Sequence, residues 1–413
     1  MKIYTILVAS VSVLATLSAA ATDINKVTAG SLAGLVGADT LSTSLNIAGG
    51  ELNAADFSFI ADKMSDLAEL DISGCRIVAY KGDPLPYSRL TSSKAASIPS
   101  YAFVGMKKLR KVSLPASLRS IGSGAFSGCG LTEMTIPEGV TEIGDYAFLR
   151  CESLVSVTIP ASLTVLGKGV FSCCSALAAV NFNGSGVTSL PESTFEGCVS
   201  MTRIDFSSLA ACTEIGPWSL AHMSELTAIT LPDNTRRMNR GAMIADTQIA
   251  DMQLPADIEY IDSHAMSGLM ALNSINAEKL QHVPELGDDV WSGVHKPDVY
   301  LVTADKTMQE AFQNALQWQE FNIKTKDEWT GTTDMIGDEI GQPHFTVYTE
   351  GSELIVDSSG SDIGEVSVFD TAGIRTTSLC FELHKARVRI ETSSWAKGIY
   401  LVVTNLGVTK IAL

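Results

Sequence analysis

Four cysteines keep a fixed spacing in this 413-residue chain. Cys129, Cys151, Cys174 and Cys198 recur every 22 to 24 residues. Thiols in an oxidising compartment can pair, and neighbouring layers of a regular stack lie within disulfide reach. Stacked side chains point in parallel, however, which is poor disulfide geometry. Buried free cysteine acting as a small apolar residue is the better reading. Cys173-Cys174 has no second cysteine cluster and no nearby histidine, so zinc is not indicated. His222, His264, His282, His295, His344 and His384 form no H-E-x-x-H or H-x-x-E-H pattern. His222 and His264 read as structural residues of the repeat. Asp288 and Asp289 are adjacent and point apart in an extended segment, whereas glycoside hydrolysis needs two carboxylates facing across a cleft. No nucleophile elbow or P-loop is present. Arg236, Arg237 and Arg240 are the basic cluster, readable as a solvated edge or as a contact for an acidic partner. These residues indicate no catalytic group, no metal site and no cofactor.

The elements that position such residues are set by composition first. The chain is 46% hydrophobic and 18% charged, enough apolar material for a large core and too little charge for disorder. Lys+Arg 29 against Asp+Glu 46 gives a net charge of −17. Such a chain repels phosphate backbones and anionic membranes, so nucleic acid is not an expected partner. Lys2, the apolar run Ile3 to Leu17 and the small residues Ala19-Ala20-Ala21 read as a signal peptide over residues 1–21. The run is shorter than the roughly 20 residues of a membrane span. After its removal no integral span is expected.

A repeat of about 23 residues organises the middle of the chain. Leu109-x-x-Val112-x-Leu114-Pro115-x-x-Leu118-x-x-Ile121-Gly122-x-x-Ala125-Phe126-x-x-Cys129 returns from Leu131 to Cys151 and again from Leu154 to Cys174. The aromatic position continues through Phe103, Phe126, Phe148, Phe171, Phe195, Leu220, Met243 and Met266. Alternating apolar positions predict a short strand with one face inward. Proline ends it, because proline has no N–H to donate. Leu118 and Ile121 predict a second short strand or an extended turn. Gly122 is expected to permit the corner through its conformational freedom. Gly-Ala-Phe-x-x-Cys then predicts one helical turn that drops Phe126 and Cys129 into the core. One coil cannot bury its apolar residues alone, so the coils must stack.

The unit L-x-x-L-x-I-P-x-x-V-x-x-I-G-x-x-A-F-x-x-C resembles the BspA-like leucine-rich repeat family of bacterial surface proteins. The resemblance covers roughly Leu67 to Leu272. It implies an α/β solenoid: a right-handed leucine-rich repeat stack of parallel sheets with N- and C-terminal caps, followed here by a small all-β sandwich. Asn183 and Ser207 replace the proline, and Leu220, Met243 and Met266 replace the phenylalanine, so the later coils are expected to pack less uniformly. The expected organisation is an N-terminal cap at 22–66, the solenoid at 67–290, a C-terminal cap at 291–325, an acidic linker at 326–342 and a β domain at 343–413. In the first cap, Asn53 should cap a helix with Asp56 at its third position. Lys81 to Ser97 should leave the first coil as a loop. In the second cap, Met308 to Phe321 should be an amphipathic helix. The Val368-Phe369-Asp370-x-x-Gly373 step, Gly398-Ile399-Tyr400-Leu401-Val402 and Lys410-Ile411 resemble a type IX secretion sorting domain. Generic β sandwiches use similar turns, and both readings stand.

In each repeat strand the residue between the last two apolar positions must point outward. Those residues are Ser113, Thr135, Thr158, Asn181, Asp205, Thr230, Gln253 and Asn276. All can hydrogen-bond, so they are the candidate partner-binding ladder for an extended peptide or a polysaccharide. The resemblance implies a secreted or cell-surface adhesion protein, exported to the outer surface of a Gram-negative bacterium, that binds an extracellular protein or glycan. The alternative is a non-catalytic accessory subunit, or an enzyme, acting on an extracellular polymer. The sequence does not decide the oligomeric state.

Overall fold

The computed structural model describes residues 21–86, 89–245 and 248–329, and the tail segments 346–350, 353–357, 363–369, 375–385, 387–392, 399–404 and 407–412. The expected signal peptide before Ala21, most of the acidic linker, the Asp370–Gly373 turn and Gly398 lie outside the described residues. The chain divides into two compact units, residues 1–332 and 333–413.

The first unit is a parallel β-solenoid of about 13 coils of about 23 residues. Each coil has three sides. The Leu-x-x-Val-x-Leu segments form the first, beginning with Ala21–Ile24, Ser44–Ile47, Glu69–Asp71 and Lys111–Ser113, all parallel. Two strands lie in the expected N-terminal cap, so that cap extends the repeat sheet. Inward positions such as Val157 and Ile159 are 2% and 0% exposed, as alternation requires. The prolines end these strands and then close the next turn: Pro115, Pro137 and Pro160 each accept at their carbonyl from the amide three residues on, at 3.0 to 3.1 Å. The second side is a row of two-residue parallel strands from Ser97–Ile98 to Glu285–Leu286.

The third side differs from the expected helical turn. It is built from turns joined coil to coil by backbone hydrogen bonds: Gly124 N to Asp145 O (2.9 Å), Phe126 N to Ala147 O (2.8 Å) and Gly128 N to Leu149 O (2.7 Å). The next step repeats this with Tyr146, Phe148 and Arg150 donating to Lys168, Val170 and Ser172. Alternate amides thus find a carbonyl in the next coil, and those between them bond three residues back within their own coil, as Ala125 N does to Gly122 O at 3.2 Å. The two flanking donors in each coil, such as Tyr146 and Arg150, have φ of +57° and +55°. The solenoid is therefore almost entirely β in construction, and its few helices lie in the caps.

The core is one aromatic file. Phe103, Phe126, Phe148, Phe171 and Phe195 are 0% exposed. Successive ring centroids lie 5.1 to 5.5 Å apart with interplanar angles of 4° to 21°. Leu220, Met243 and Met266 continue the file, also fully buried. Packing in these later coils is as complete as in the earlier ones; only the ring stacking ends, at Phe195. Two ring positions unread in the sequence extend the file, Phe57 edge-on to Phe103 and Trp291 against Trp318 and Phe321.

A helix is found at each end of the repeat. The helix Ala54–Lys63 is capped by Asn53 and Asp56 in a reciprocal capping box. Asp56 is 1% exposed, and its carboxylate also accepts from Gly30 N at 2.7 Å and Leu32 N at 3.0 Å. The C-terminal helix is shorter than the expected Met308–Phe321: it spans Lys306–Gln313 and ends at Asn314. The chain then turns through Gln317, at φ +64°, into a 3-10 segment that drops Trp318 beside Trp291. Glu328 fastens this cap. Its hydrogen bond with the Lys306 ammonium, then the Thr325 amide at 3.1 Å, holds its carboxyl at about 2, down from an ordinary 4.5. A carboxyl depressed on folding stabilises above its unfolded value and loses that contribution as pH falls through its folded one. Cap stability should therefore fall as pH drops from 4.5 towards about 2. In Glu328→Gln, tryptophan fluorescence at Trp318 should show a looser cap at neutral pH and a smaller acid loss.

In the second unit the described strands form two antiparallel sheets. One orders Thr346–Glu350, Glu353–Asp357 and Arg387–Glu391; the other orders Arg375–Lys385, Ile363–Phe369, Ile399–Thr404 and Gly407–Ala412. Arg375–Lys385 forms a strand although its Arg-Thr-Thr-Ser start lacks apolar alternation.

Candidate interaction surfaces

The first side carries the expected ladder. Val157 and Ile159 face the core, so Thr158 between them must face out, and the same holds in each coil. None of Ser113, Thr135, Thr158, Asn181, Asp205, Thr230, Gln253 and Asn276 is buried. Strand pairing sets Thr135 opposite Thr158 and Thr158 opposite Asn181. It likewise pairs Asp205 with Thr230 and Gln253 with Asn276. Pairing lapses between these groups and after Ser113, whose strand partner is Asp71. The row extends to Asp71, Asn46 and Asp23 at one end; at the other the register passes through Val302, which is buried, to Lys324. Two ladder oxygens are already used: Asp205 Oδ1 accepts from Ser207 N, and Asn276 Oδ1 from Glu278 N, both at 2.8 Å. Those side chains are held rigid, each with one oxygen committed to the turn.

The other reactive residues do not converge. Cys129, Cys151, Cys174 and Cys198 are buried and unpaired as disulfides, and their thiols donate to the carbonyls of Phe103, Phe126, Phe148 and Phe171 in the preceding coil at 2.9 to 3.2 Å. They are more than apolar filler, because each thiol links adjacent coils. Burial pushes the Cys129 thiol up to about 12 and the Cys198 thiol upward too. Since the thiolate is the reactive form, a thiol reagent should leave Cys75, Cys129, Cys151, Cys174, Cys198 and Cys212 unmodified in the native protein and titrate them after unfolding. Fast native modification of Cys129 would contradict this packing. His222 and His264 take left-handed turn positions, at φ +60° and +58°. Asp288 and Asp289 are both exposed, with Trp291 buried beside them. Among the described residues no group of three or more His, Cys, Asp and Glu side chains could hold a metal ion.

The basic cluster is partly neutralised. Arg236 lies 3.4 Å from Glu259, and the Arg237 guanidinium sits 4.5 Å from the Tyr260 ring centroid. Arg237, Glu259, Tyr260, His282 and Glu285 line a shallow groove on the second side. At the opposite end, the expected loop contains a hairpin of Tyr80–Lys81 with Ser92–Ser93. It overhangs the second side above a cleft of about 410 Å³.

The third side bears a feature the sequence reading missed. Tyr101, Tyr146 and Trp218 occupy the first left-handed position of their coils, at φ +59°, +57° and +52°. They are 48%, 39% and 37% exposed. Each is followed one coil later by glycine at the same position. A Cβ on Gly124 would lie 2.7 Å from Tyr101 Cδ1 and Cε1, one on Gly169 2.5 Å from the same atoms of Tyr146, and one on Gly241 2.7 Å from Trp218 Nε1. The ring of one coil therefore occupies the space that glycine leaves in the next. The available signal was aromatic followed by glycine in the slot before the Ala-Phe pair.

These three-sided coils, with their Leu, Pro, Phe and Cys offsets, define a leucine-rich repeat solenoid. Residues 96–211 and 183–296 match the family described as BspA type Leucine rich repeat region, in six copies. The repeat region of this chain belongs to that family. A leucine-rich repeat protein from Bacteroides ovatus is similar over 69% of this chain and 76% of its own, at 18% identity and a TM-score of 0.39. One from Eubacterium ventriosum is similar over 62% and 66%, at 18% identity and 0.37. A leucine rich cell surface protein from Faecalibacterium prausnitzii is similar over 61% and 82%, at 17% identity and 0.26. No curated protein matches the chain.

Proposed function

We propose that this chain is an exported interaction protein that binds an extracellular protein through the first side of its solenoid. The observation that carries this reading is the ladder: outward donors and acceptors at one strand position in coil after coil, on a backbone fixed by a close-packed core. Leucine-rich repeats are non-enzymatic binding scaffolds as a rule, and no catalytic constellation among the described residues favours an enzyme. The ladder holds no arginine or large aromatic anchor of the kind that dominates interface energetics. Each contact is modest, and affinity comes from several coils engaged together. The signal-peptide pattern supports export, and the BspA-type repeat supports a secreted or surface address. The C-terminal unit acts as the sorting signal that carries the chain to the outer face of a Gram-negative envelope.

Immobilised protein should capture its partner from a panel of purified extracellular-matrix proteins. Replacing Thr158, Asn181 and Asp205 together by alanine should weaken that capture at least tenfold and leave the fold intact, since the three side chains make no core contact and only the turn bond from Ser207 N to Asp205 Oδ1 is lost. Unchanged affinity in the folded triple variant would remove the first side from consideration.

A further inference from the structure

The geometry points to a second site, on the third side, for a neutral β-linked glycan. It goes beyond the protein-binding reading and does not depend on it.

Three observations meet there. First, a bulky residue at positive φ is costly, and glycine adopts the same conformation without strain. The coils use Gly124, Gly169 and Gly241 at this position, yet keep Tyr101, Tyr146 and Trp218 there, half-exposed. Packing against the next glycine holds each ring in place. Rigid exposed aromatics gain nothing in core burial, and they are the side chains best suited to stack on an apolar ligand face.

Second, the rings follow a step that fits one polymer. Coils advance about 4.8 Å each. Tyr101 and Tyr146 are two coils apart, about 10 Å, and Tyr146 and Trp218 are three coils apart, about 14 Å. An extended β-linked pyranose chain advances by nearly one coil step per sugar, so the rings meet sugars two and three apart. Hydroxyl and carboxylate groups flank the rings, with Asp145 and Glu192 beside Tyr146 and Ser193. Lys168 Nζ stands 5.7 Å from the Tyr146 ring centroid. The net charge of −17 disfavours an anionic polymer.

Third, a built cleft lies beside the first two rings of the row. Ser93, Ser97, Ser120, Ser123 and Glu142 line the space beneath the Tyr80–Ser93 hairpin. Ser120 Oγ donates to Ser97 Oγ at 2.8 Å, whereas Ser93 Oγ is buried with no hydrogen-bond partner. A buried hydroxyl left unpaired is costly unless something fills its position. Ser100 and Ser123 also line this cleft, and they immediately precede Tyr101 and Gly124. A sugar in the cleft would therefore lie beside the first two rings.

Affinity electrophoresis of the full chain in gels of hydroxyethylcellulose, xylan and galactomannan tests this, with alginate and decaproline as competitors of other classes. The wild type should be retarded by at least one neutral β-glycan. The Tyr146→Gly/Trp218→Gly variant should bind that glycan at least tenfold more weakly and remain folded, because glycine suits both backbone positions. Ser93→Ala should weaken binding severalfold. The proposal is overturned by no retardation in any neutral gel, by competition from alginate or decaproline alone, or by full retention in the ring or Ser93 variant with its fold intact.

Discussion

Phe148→Ala should destabilise the solenoid by about 3–5 kcal/mol, the usual cost of emptying a buried aromatic site. Phe148 is fully buried and stacks on Phe126 at 5.3 Å and on Phe171 at 5.5 Å. Alanine removes both ring contacts in the middle of the file, and each such pair adds roughly 0.5–1.5 kcal/mol beyond its area. The backbone around it cannot collapse into the void, because Phe148 N is tied to Val170 O and Ala147 O accepts from Phe126 N. Phe148→Leu should cost less than about 1.5 kcal/mol, since leucine fills the same site as Leu220 and nearly conserves volume. Chemical denaturation measures both. A solenoid's stability is a sum of coil and neighbour terms, so hydrogen exchange should show the loss centred on coils 126 to 171. A shift under 1 kcal/mol for alanine would contradict a continuous ring file.

Gly122→Ala should cost about 1–3 kcal/mol through overpacking. Its Cβ would lie 2.5 Å from Ser100 N and 2.8 Å from Ile98 O, the atom that accepts from Gly122 N. These are backbone atoms of the neighbouring coil, so the two coils must separate to admit one methyl group. Gly34→Ala is the control: nothing lies within 4 Å of its Cβ, and it sits within the helix Leu32–Val36. It should leave stability unchanged or raise it by up to ~1 kcal/mol. Equal melting temperatures for the two variants would mean that the coils are not in backbone contact at this corner.

What the sequence made legible follows from which side chains face the core. The Leu, Phe and Cys positions repeat because each must fill the same space in every coil, so period and strand positions could be read directly. Asn53 and Asp56 were readable for the same kind of reason, since an N-cap demands those side chains. The third side was misread as helical because a backbone ladder asks only for left-handed residues, and Gly124, Tyr146, Ser193, Trp218, His264 and Asp289 all serve. No residue type marks that position. Gly122 was attributed to conformational freedom, yet its φ is not in the left-handed region and close approach of the preceding coil is what requires it. The C-terminal helix was drawn too long because Ala315 and Trp318 keep helical spacing from Ala311, at i+4 and i+7, while the chain breaks at Asn314 and Gln317. Of the candidate sites, the polar ladder was visible because strand alternation forces it outward. The ring row was hidden because its signal spans two coils, aromatic in one and glycine in the next.

The most direct test of the proposed function is site-specific photocross-linking. A benzophenone amino acid at position 181 replaces Asn181 in the middle of the ladder, and one at position 165 replaces Val165, 53% exposed on the second side. With the captured extracellular protein bound, position 181 should cross-link to it and position 165 should not. A cross-link from position 165 with none from position 181 would contradict binding through the first side.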